Sequence, residues 1–280
     1  MIGIDWGTTA LRGYLIENDQ LVEHRELPYG VLKVPKDGFK DIFDKLIDSW
    51  SGTVLLSGMV GSSKGWLNTP YVQTPFSLTS LQDHLIDFSH LTQRPSWLVP
   101  GVQQSNPADV MRGEELQSLG AACLNGKEHL ILCGTHSKHV ELEDGKLISF
   151  STYMTGELYA ILQTHSILAE PHHNDEDLFV EGVQASLKDE NLLNQMFQIR
   201  AMRLNGSLNK ATPYLSGLLI GTELKGLKKS KSCTVVGSKS LSKLYLLAIR
   251  TISPQTQVNL LSAEDASIKG YTKIFRSIHV

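Results

Sequence analysis

The chain lacks the features that would commit it to a membrane, a disulfide scaffold or a polyanion. Its 280 residues include three cysteines, Cys123, Cys133 and Cys233, far apart and without metal-ligand spacing. So odd and sparse a set reads as reduced thiols in a cytoplasmic protein, not as a disulfide framework. No apolar run approaches the roughly 20 residues that a bilayer-spanning helix needs. Met1, Ile2, Gly3 and Ile4 enter a strand pattern at once, without the basic leader and apolar core of a signal peptide. Positive charge is not in excess. Lys and Arg number 26 against 29 Asp and Glu, and the formal net charge of -3 offers nucleic acid or an anionic membrane no general attraction. A G-x-x-x-x-G-K-[ST] phosphate loop is also missing. The expectation is a soluble, cytoplasmic protein in which any phosphate is held by local donors.

What is present suits a globular chain with room for about two domains. Hydrophobic residues make up 41% and charged residues 20%. Ile2 and Ile4 precede a Gly7-Thr8-Thr9 turn, and residues 11–16 and 21–25 read as strands around a polar turn. Phe39, Ile42, Phe43, Leu46, Ile47 and Trp50 recur at helical spacing and share one face. Residues 53–56 read as a buried strand running into a glycine-punctuated loop, and 97–99 as a short strand ended by Pro100-Gly101. A helix is expected from Asn106-Pro107-Ala108-Asp109 through Leu116, Leu119 and Ala122, closing at Asn125-Gly126.

The opening pattern then returns. Residues 130–133 form a strand, 134–137 a small polar turn, and 138–142 a strand, with a hairpin turn at Asp144-Gly145 into 146–151. Laying Gly7-Thr8 over Gly134-Thr135 aligns strand on strand, with Leu132 in the register of Asp5. The repeat predicts two domains, 1–125 and 126–280, with a cleft between them. Beyond it come a helix with Thr155 as N-cap, an apolar small-residue segment at 214–221, a strand at 234–236 and a helix at 241–249. Strands and helices mixed throughout make an α/β protein.

Several constellations carry chemistry. Asp5 ends a buried strand before a glycine turn with two hydroxyls, an arrangement suited to a magnesium nucleotide. Gly7 lets the backbone approach phosphate oxygens, Thr8 and Thr9 add donors, and Asp5 can hold Mg2+ through water. A plain hairpin with Asp as turn former explains the same residues. Gly134, Thr135, His136, Ser137 and Lys138 read either as a second phosphate-facing turn or as an ordinary β-turn. The run His172 to Asp177 reads as a solvated acidic loop. In residues 109–115, acids near a helix start complement its dipole. Alternatively Asp109 accepts the proton of a substrate hydroxyl while Arg112 binds an anion. The loop of Met59, Gly61, Ser62 and Trp66 suits substrate contact or is a long connection.

Six stretches in order resemble the 2-dehydro-3-deoxygalactonokinase family. They are DWGTTALRGYL (5–15), SGMVGSSKGW (57–66), DVMRGEE (109–115), GTHSKHV (134–140), FSTYMTGELYA (150–160) and YLSGLLIGTEL (214–224). The resemblance implies the superfold of sugar kinases, hsp70 and actin: α/β, with two duplicated ribonuclease H-like domains and an interdomain nucleotide cleft. It assigns Asp5, Gly7, Thr8 and Thr9 to a first phosphate loop and Gly134, Thr135 and Ser137 to a second, with Lys138 beside it. Gly237 would close over adenosine, a single glycine where the superfold usually has two or more. The implied reaction is ATP plus 2-dehydro-3-deoxy-D-galactonate giving ADP and the 6-phosphate, with Mg2+, as a step of galactonate catabolism.

Asp109 is the expected base, with Glu114 competing. Arg12, Arg112 and the 59–62 loop are expected to meet the substrate carboxylate and keto group. The expected partner is a small sugar acid, the assembly allowed for is a homodimer, and nucleic acid and membrane are excluded. Two other functions fit the same sequence. An exopolyphosphatase-like phosphohydrolase would release phosphate without an organic acceptor. A non-catalytic sugar- or nucleotide-binding regulator would bind without turnover.

Overall fold

The computed structural model describes residues 1–188, 190–229 and 231–278. Three strands open the chain, β1 Ile2–Trp6, β2 Leu11–Glu17 and β3 Gln20–Leu27, followed by helix α1 Phe39–Leu46 and strand β4 Val54–Gly58. Then come β5 Tyr71–Gln73, β6 Phe76–Ser77, β7 Ile86–Asp87, α2 Ser89–Thr92, β8 Ser96–Leu98, β9 Gly101–Ser105, β10 Ala108–Met111 and α3 Glu114–Ala121. Strands β11 Lys127–Leu132, β12 Ser137–Glu143 and β13 Lys146–Tyr153 lead into α4 Thr155–His165, α5 Glu176–Ser186, α6 Leu192–Leu204 and α7 Ala211–Glu223. The chain ends on β14 Ser232–Gly237, α8 Lys239–Ile252, β15 Gln257–Ser262 and α9 Ala263–Ile278.

The duplication is visible in strand order. One sheet runs β3-β2-β1-β4-β8-β7 and another β15-β14-β11-β12-β13-β6. With the edge strands β7 and β6 set aside, both follow from the hairpin side the same course of third, second, first, fourth and fifth strand. The Gly7 turn between β1 and β2 and the Gly134 turn between β11 and β12 therefore occupy equivalent places. In the first sheet β2 is antiparallel to β1, while β4 runs parallel to it. Apart from the half-buried Asp5, both strands of that parallel pair are buried along their length, as expected of a strand pair covered on both faces.

Contact density divides the chain into two units. One comprises Met1–Leu130, Val140–Ser151 and Leu261–Val280, the other Ile131–His139 and Thr152–Leu260. The division is not one cut in the sequence, because α9 packs along α3 and hydrogen-bonds Tyr271 to Ser57 of β4, which keeps the C-terminal helix with the first unit.

The first unit's core gathers Ile2, Ile4 and Trp6 of β1 with Phe39, Phe43 and Leu46 of α1 and Val54 and Leu56 of β4. Of the stripe read from the sequence, Phe39, Ile42, Phe43 and Leu46 lie on α1, while Ile47 and Trp50 follow its end and still pack on this core. In the second unit α5 and α7 lie nearly backbone to backbone. A Cβ at Gly217 would stand 1.9 Å from the Phe179 carbonyl oxygen, so the glycine of the 214–221 segment is a packing requirement.

The expected helix start at 106–109 is corrected. Asn106 and Pro107 turn the chain between β9 and β10, which pair antiparallel with Asp109 opposite Gln104. The helix begins after Gly113, whose φ of 111° is open to glycine and strained for other residues. Thr155 is likewise the first residue of α4 and not its N-cap, which is Met154. Among the described residues, no helix is long and apolar enough to cross a membrane.

Candidate active site

The first-unit site is assembled by register. Asp5 on β1 pairs with Arg12 on β2, and Arg12 pairs with Glu26 on β3, so the three side chains lie side by side on one face. Arg12 donates to Glu26 over 3.2 and 3.4 Å and stands 3.7 Å from the Asp5 carboxylate. The guanidinium proposed for a substrate anion is thus engaged by two acids. Burial pushes the Asp5 carboxyl up to about 6; Arg12 opposes this, while Glu114 and Glu26 add to it. Glu114, at the start of α3, is close enough to act on Asp5, and it accepts the backbone N–H of Arg112.

The Gly7-Thr8-Thr9 turn itself is held from below. Gly7 donates to the Ala10 carbonyl, Gly30 to that of Thr9, and Val31 to that of Gly7. A Cβ at Gly30 would stand 2.2 Å from the Thr8 carbonyl oxygen, so the turn needs glycine there. Thr8 and Thr9 are exposed. Gly30 escaped the sequence reading, because an isolated glycine after Pro28-Tyr29 carries no motif.

Arg112 is buried, at 7% exposure. It donates to the Thr69 hydroxyl and carbonyl, at 2.8 and 3.0 Å, and its guanidinium lies 4.2 Å from the centre of the Tyr71 ring. Its Nε has no partner. Its charge acts on the buried Glu115 carboxyl, opposing the larger effects of burial and of Glu114. Gly61 leaves room for this side chain, since a Cβ there would meet Arg112 Nη1 at 2.6 Å. A buried cation is costly unless its hydrogen bonds are filled, and one of its nitrogens is not. Tyr71 also lines an open cavity of about 390 Å³ with Gln73 and His84.

Elsewhere in the 57–66 loop only Ser63 and Lys64 are exposed. Met59 and Trp66 pack on the core, and Trp66 sits 5.4 to 6.2 Å from the rings of Trp6, Phe39, Phe43 and Phe88. The Ser62 hydroxyl donates to the Met59 carbonyl. Trp66 therefore anchors the loop to the strand that carries Asp5.

Asp109 lies on β10, where its carboxylate accepts the Val110 N–H. Glu115 is fully buried and accepts the Gly113 N–H. Burial, followed by the charge of Glu114, pushes its carboxyl up to about 8.

In the second unit Gly134 and Thr135 form an exposed bend against the start of α4, where Glu157 donates its N–H to the Thr135 carbonyl. Gly156 makes that contact possible, since a Cβ there would stand 2.6 Å from the Gly134 carbonyl oxygen. The His136 ring bonds Glu157 at 2.6 Å. Ser137 and Lys138 are buried, and the Ser137 hydroxyl donates to Glu223. The turn therefore presents backbone and Thr135, while the two side chains expected to face phosphate point into the structure.

Gly237 ends β14 and packs on Cys133, whose Sγ would lie 2.3 Å from a Cβ there. Beside Gly134, a largely apolar cavity of about 120 Å³ is walled by Leu219 and Ile220 of α7 and Leu241 and Leu244 of α8, with Thr155 and Tyr245 also lining it. Glu223 and this cavity were not anticipated. A lone acid at the end of an apolar helix gives no sequence signal.

Known proteins supply the context for these features. The family model described as 2-keto-3-deoxy-galactonokinase matches residues 5–274. The 2-dehydro-3-deoxygalactonokinase of Escherichia coli (strain K12) is 32% identical over 265 residues, covering 90% of this chain and 89% of the relative. A solved Sinorhizobium meliloti structure, described as a candidate 2-dehydro-3-deoxygalactonokinase, matches with a TM-score of 0.90 at 30% identity, over 99% of this chain and 98% of that one. Component A of the Acidaminococcus fermentans (R)-2-hydroxyglutaryl-CoA dehydratase shares the fold alone, with a TM-score of 0.54 at 11% identity over 98% of both chains. Six motifs in order, a duplicated five-strand course and a family match over nearly the whole length agree: the chain is a kinase of the 2-keto-3-deoxy-galactonokinase family.

Proposed function

We propose that the protein transfers the γ-phosphoryl group of ATP to the 6-hydroxyl of 2-dehydro-3-deoxy-D-galactonate. The observation that carries the acceptor class is Arg112, a buried guanidinium with an orphaned Nε beside Thr69 and Tyr71. A 2-keto acid brings a carboxylate to it, and a planar guanidinium suits a carboxylate better than a point charge does. Access requires Thr69, which now occupies the two terminal nitrogens, to yield. In this reading Arg12 positions Asp5, and Arg112 meets the acid.

The Gly7-Thr8-Thr9 and Gly134-Thr135 turns serve the triphosphate through backbone N–H groups and the exposed threonine hydroxyls. Asp5 suits Mg2+: Asp5, Glu26 and Glu114 place three acids against one Arg12, and their mutual repulsion is relieved by a cation. Among the described residues, no cluster of three or more His, Cys, Asp or Glu could by itself hold a metal ion. A single carboxylate acting through water, completed by phosphate oxygens, is how this ion is commonly bound. When bound, Mg2+ neutralises charge on the phosphates.

Two carboxylates compete for the proton of the acceptor hydroxyl. Glu114 is favoured, because its charge reaches Asp5, whereas Asp109 is not among the groups that shift Asp5. Little covalent work is asked of the protein in phosphoryl transfer, so one placed base with the donors above is sufficient. The apolar walls of the 120 Å³ cavity, Leu219 and Ile220 against Leu241 and Leu244, suit the adenine base beside Gly134.

The test is an ADP-release assay with Mg2+ and ATP across a panel of 2-keto-3-deoxy sugar acids. Turnover should require acceptor and favour the galactonate isomer. ADP release that is independent of any acceptor would point instead to a phosphohydrolase, and silence across the panel would remove the proposal.

A further inference from the structure

We propose that Glu223 is a positioning residue for the nucleotide, its carboxylate holding the second phosphate turn and two cavity hydroxyls in one geometry; the proposal rests on the kinase reading above. Glu223 is the last residue of α7, and only 1% of its side chain is accessible. A buried carboxylate is tolerated where it is well supplied with hydrogen bonds. Here Oε1 accepts from the Ser137 hydroxyl at 2.7 Å and is bonded to the His139 ring at 2.9 Å. Oε2 accepts from the Thr155 hydroxyl at 2.5 Å and from the Tyr245 hydroxyl at 2.8 Å.

The four partners come from places that matter to a nucleotide. Ser137 follows the Gly134-Thr135-His136 bend directly, and His139 continues the same strand. Thr155 opens α4, whose first turn supports the bend, and Tyr245 lies on α8. Thr155 and Tyr245 also line the cavity beside Gly134. Two further groups feel the charge of Glu223: burial, then Glu223, raises Tyr153, and Cys133 carries a smaller contribution from it.

One acceptor thus ties the turn, the start of α4 and the cavity wall together. The consequence is specific. With its proton committed to Glu223, the Ser137 hydroxyl is withheld from phosphate, and the turn offers its backbone donors in a fixed direction. Preorganised donors bind phosphate without a further ordering cost.

The experiment measures Mg·ATP affinity calorimetrically on the full chain, with sugar-acid KM and kcat alongside. Glu223→Gln keeps the shape and one acceptor oxygen, but turns N–H donors toward partners that already donate. The expected result is a rise in the ATP Kd of about tenfold, the factor that corresponds to about 1.4 kcal/mol, with sugar-acid KM changed less than about twofold. A purely structural role would lower the melting temperature and leave the Kd at 25 °C unchanged. That outcome overturns the proposal.

Tyr245→Phe, which removes one donor and keeps the ring, should weaken ATP by about two- to fivefold. Combined with Glu223→Gln it should add little, because both changes break the same contact. Full additivity would mean that Tyr245 acts on the ligand directly and would count against Glu223. If Glu223→Gln does not fold, Tyr245→Phe decides, and parental affinity in that variant overturns the proposal. Parental protein that binds no Mg·ATP would instead sink the kinase reading itself, before any variant is compared.

Discussion

Replacing Asp5 with Asn should make the metal-free protein more stable while abolishing its use of magnesium. Burial and the neighbouring Glu114 and Glu26 raise the Asp5 carboxyl from 3.8 to about 6. A carboxyl raised on folding favours the folded state only while protonated. Its contribution is fully present below pH 3.8 and is lost as pH rises through about 6. At pH 7 the ionised group costs the fold about 2–3 kcal/mol, the lower end allowing for solvent screening of a side chain that is partly open. Asn has no charge to desolvate. The attraction of Arg12 is already part of that balance, since it lowers the carboxyl against burial. For a chain of this size the gain corresponds to about 5 °C in melting temperature.

The assay is thermal melting in chelator at pH 4 and pH 7, repeated with added Mg2+. Asp5→Asn should melt above the parent at pH 7 and level with it at pH 4, and Mg2+ should raise the parent alone. A variant that melts below the parent at pH 7 would refute the electrostatic argument. So would one whose advantage grows as pH falls.

Other outcomes follow from the same geometry. Glu114→Gln should lower kcat by about 10²–10⁴ while ATP binding persists, the usual span for a lost general base; if Asp109→Asn loses that much and Glu114→Gln does not, the roles are reversed. Arg112→Gln should raise the KM of the sugar acid by about tenfold or more with a smaller effect on kcat, the signature of lost ground-state binding to a charged partner; equal losses with a neutral sugar acceptor would count against a carboxylate contact. Trp66→Ala should cost about 3 kcal/mol of stability, because four aromatic rings close around it; a melting temperature within a degree of the parent would mean that the loop is not anchored there.

The sequence carried the repeat and the two turns because strand, glycine and hydroxyl lie within a few adjacent residues. It misled at Asn106 to Asp109, where an Asn-Pro pair and an Asp look alike whether they open a helix or turn a hairpin; alternation in β10 decided for the hairpin. The Asp5, Arg12 and Glu26 row needed strand register, which no single stretch contains. Ser137 and Lys138 looked like phosphate ligands because a turn motif says nothing of which side chains face inward. Glu223 and Gly30 stayed hidden because each matters only through neighbours distant in sequence.

The most direct test of the central claim is phosphorus NMR of the protein turning over Mg2+, ATP and 2-dehydro-3-deoxy-D-galactonate. ADP should appear in equal amount with a single new phosphate monoester, coupled to the protons of carbon 6. Inorganic phosphate as the sole new signal, or a monoester elsewhere on the acceptor, would contradict it.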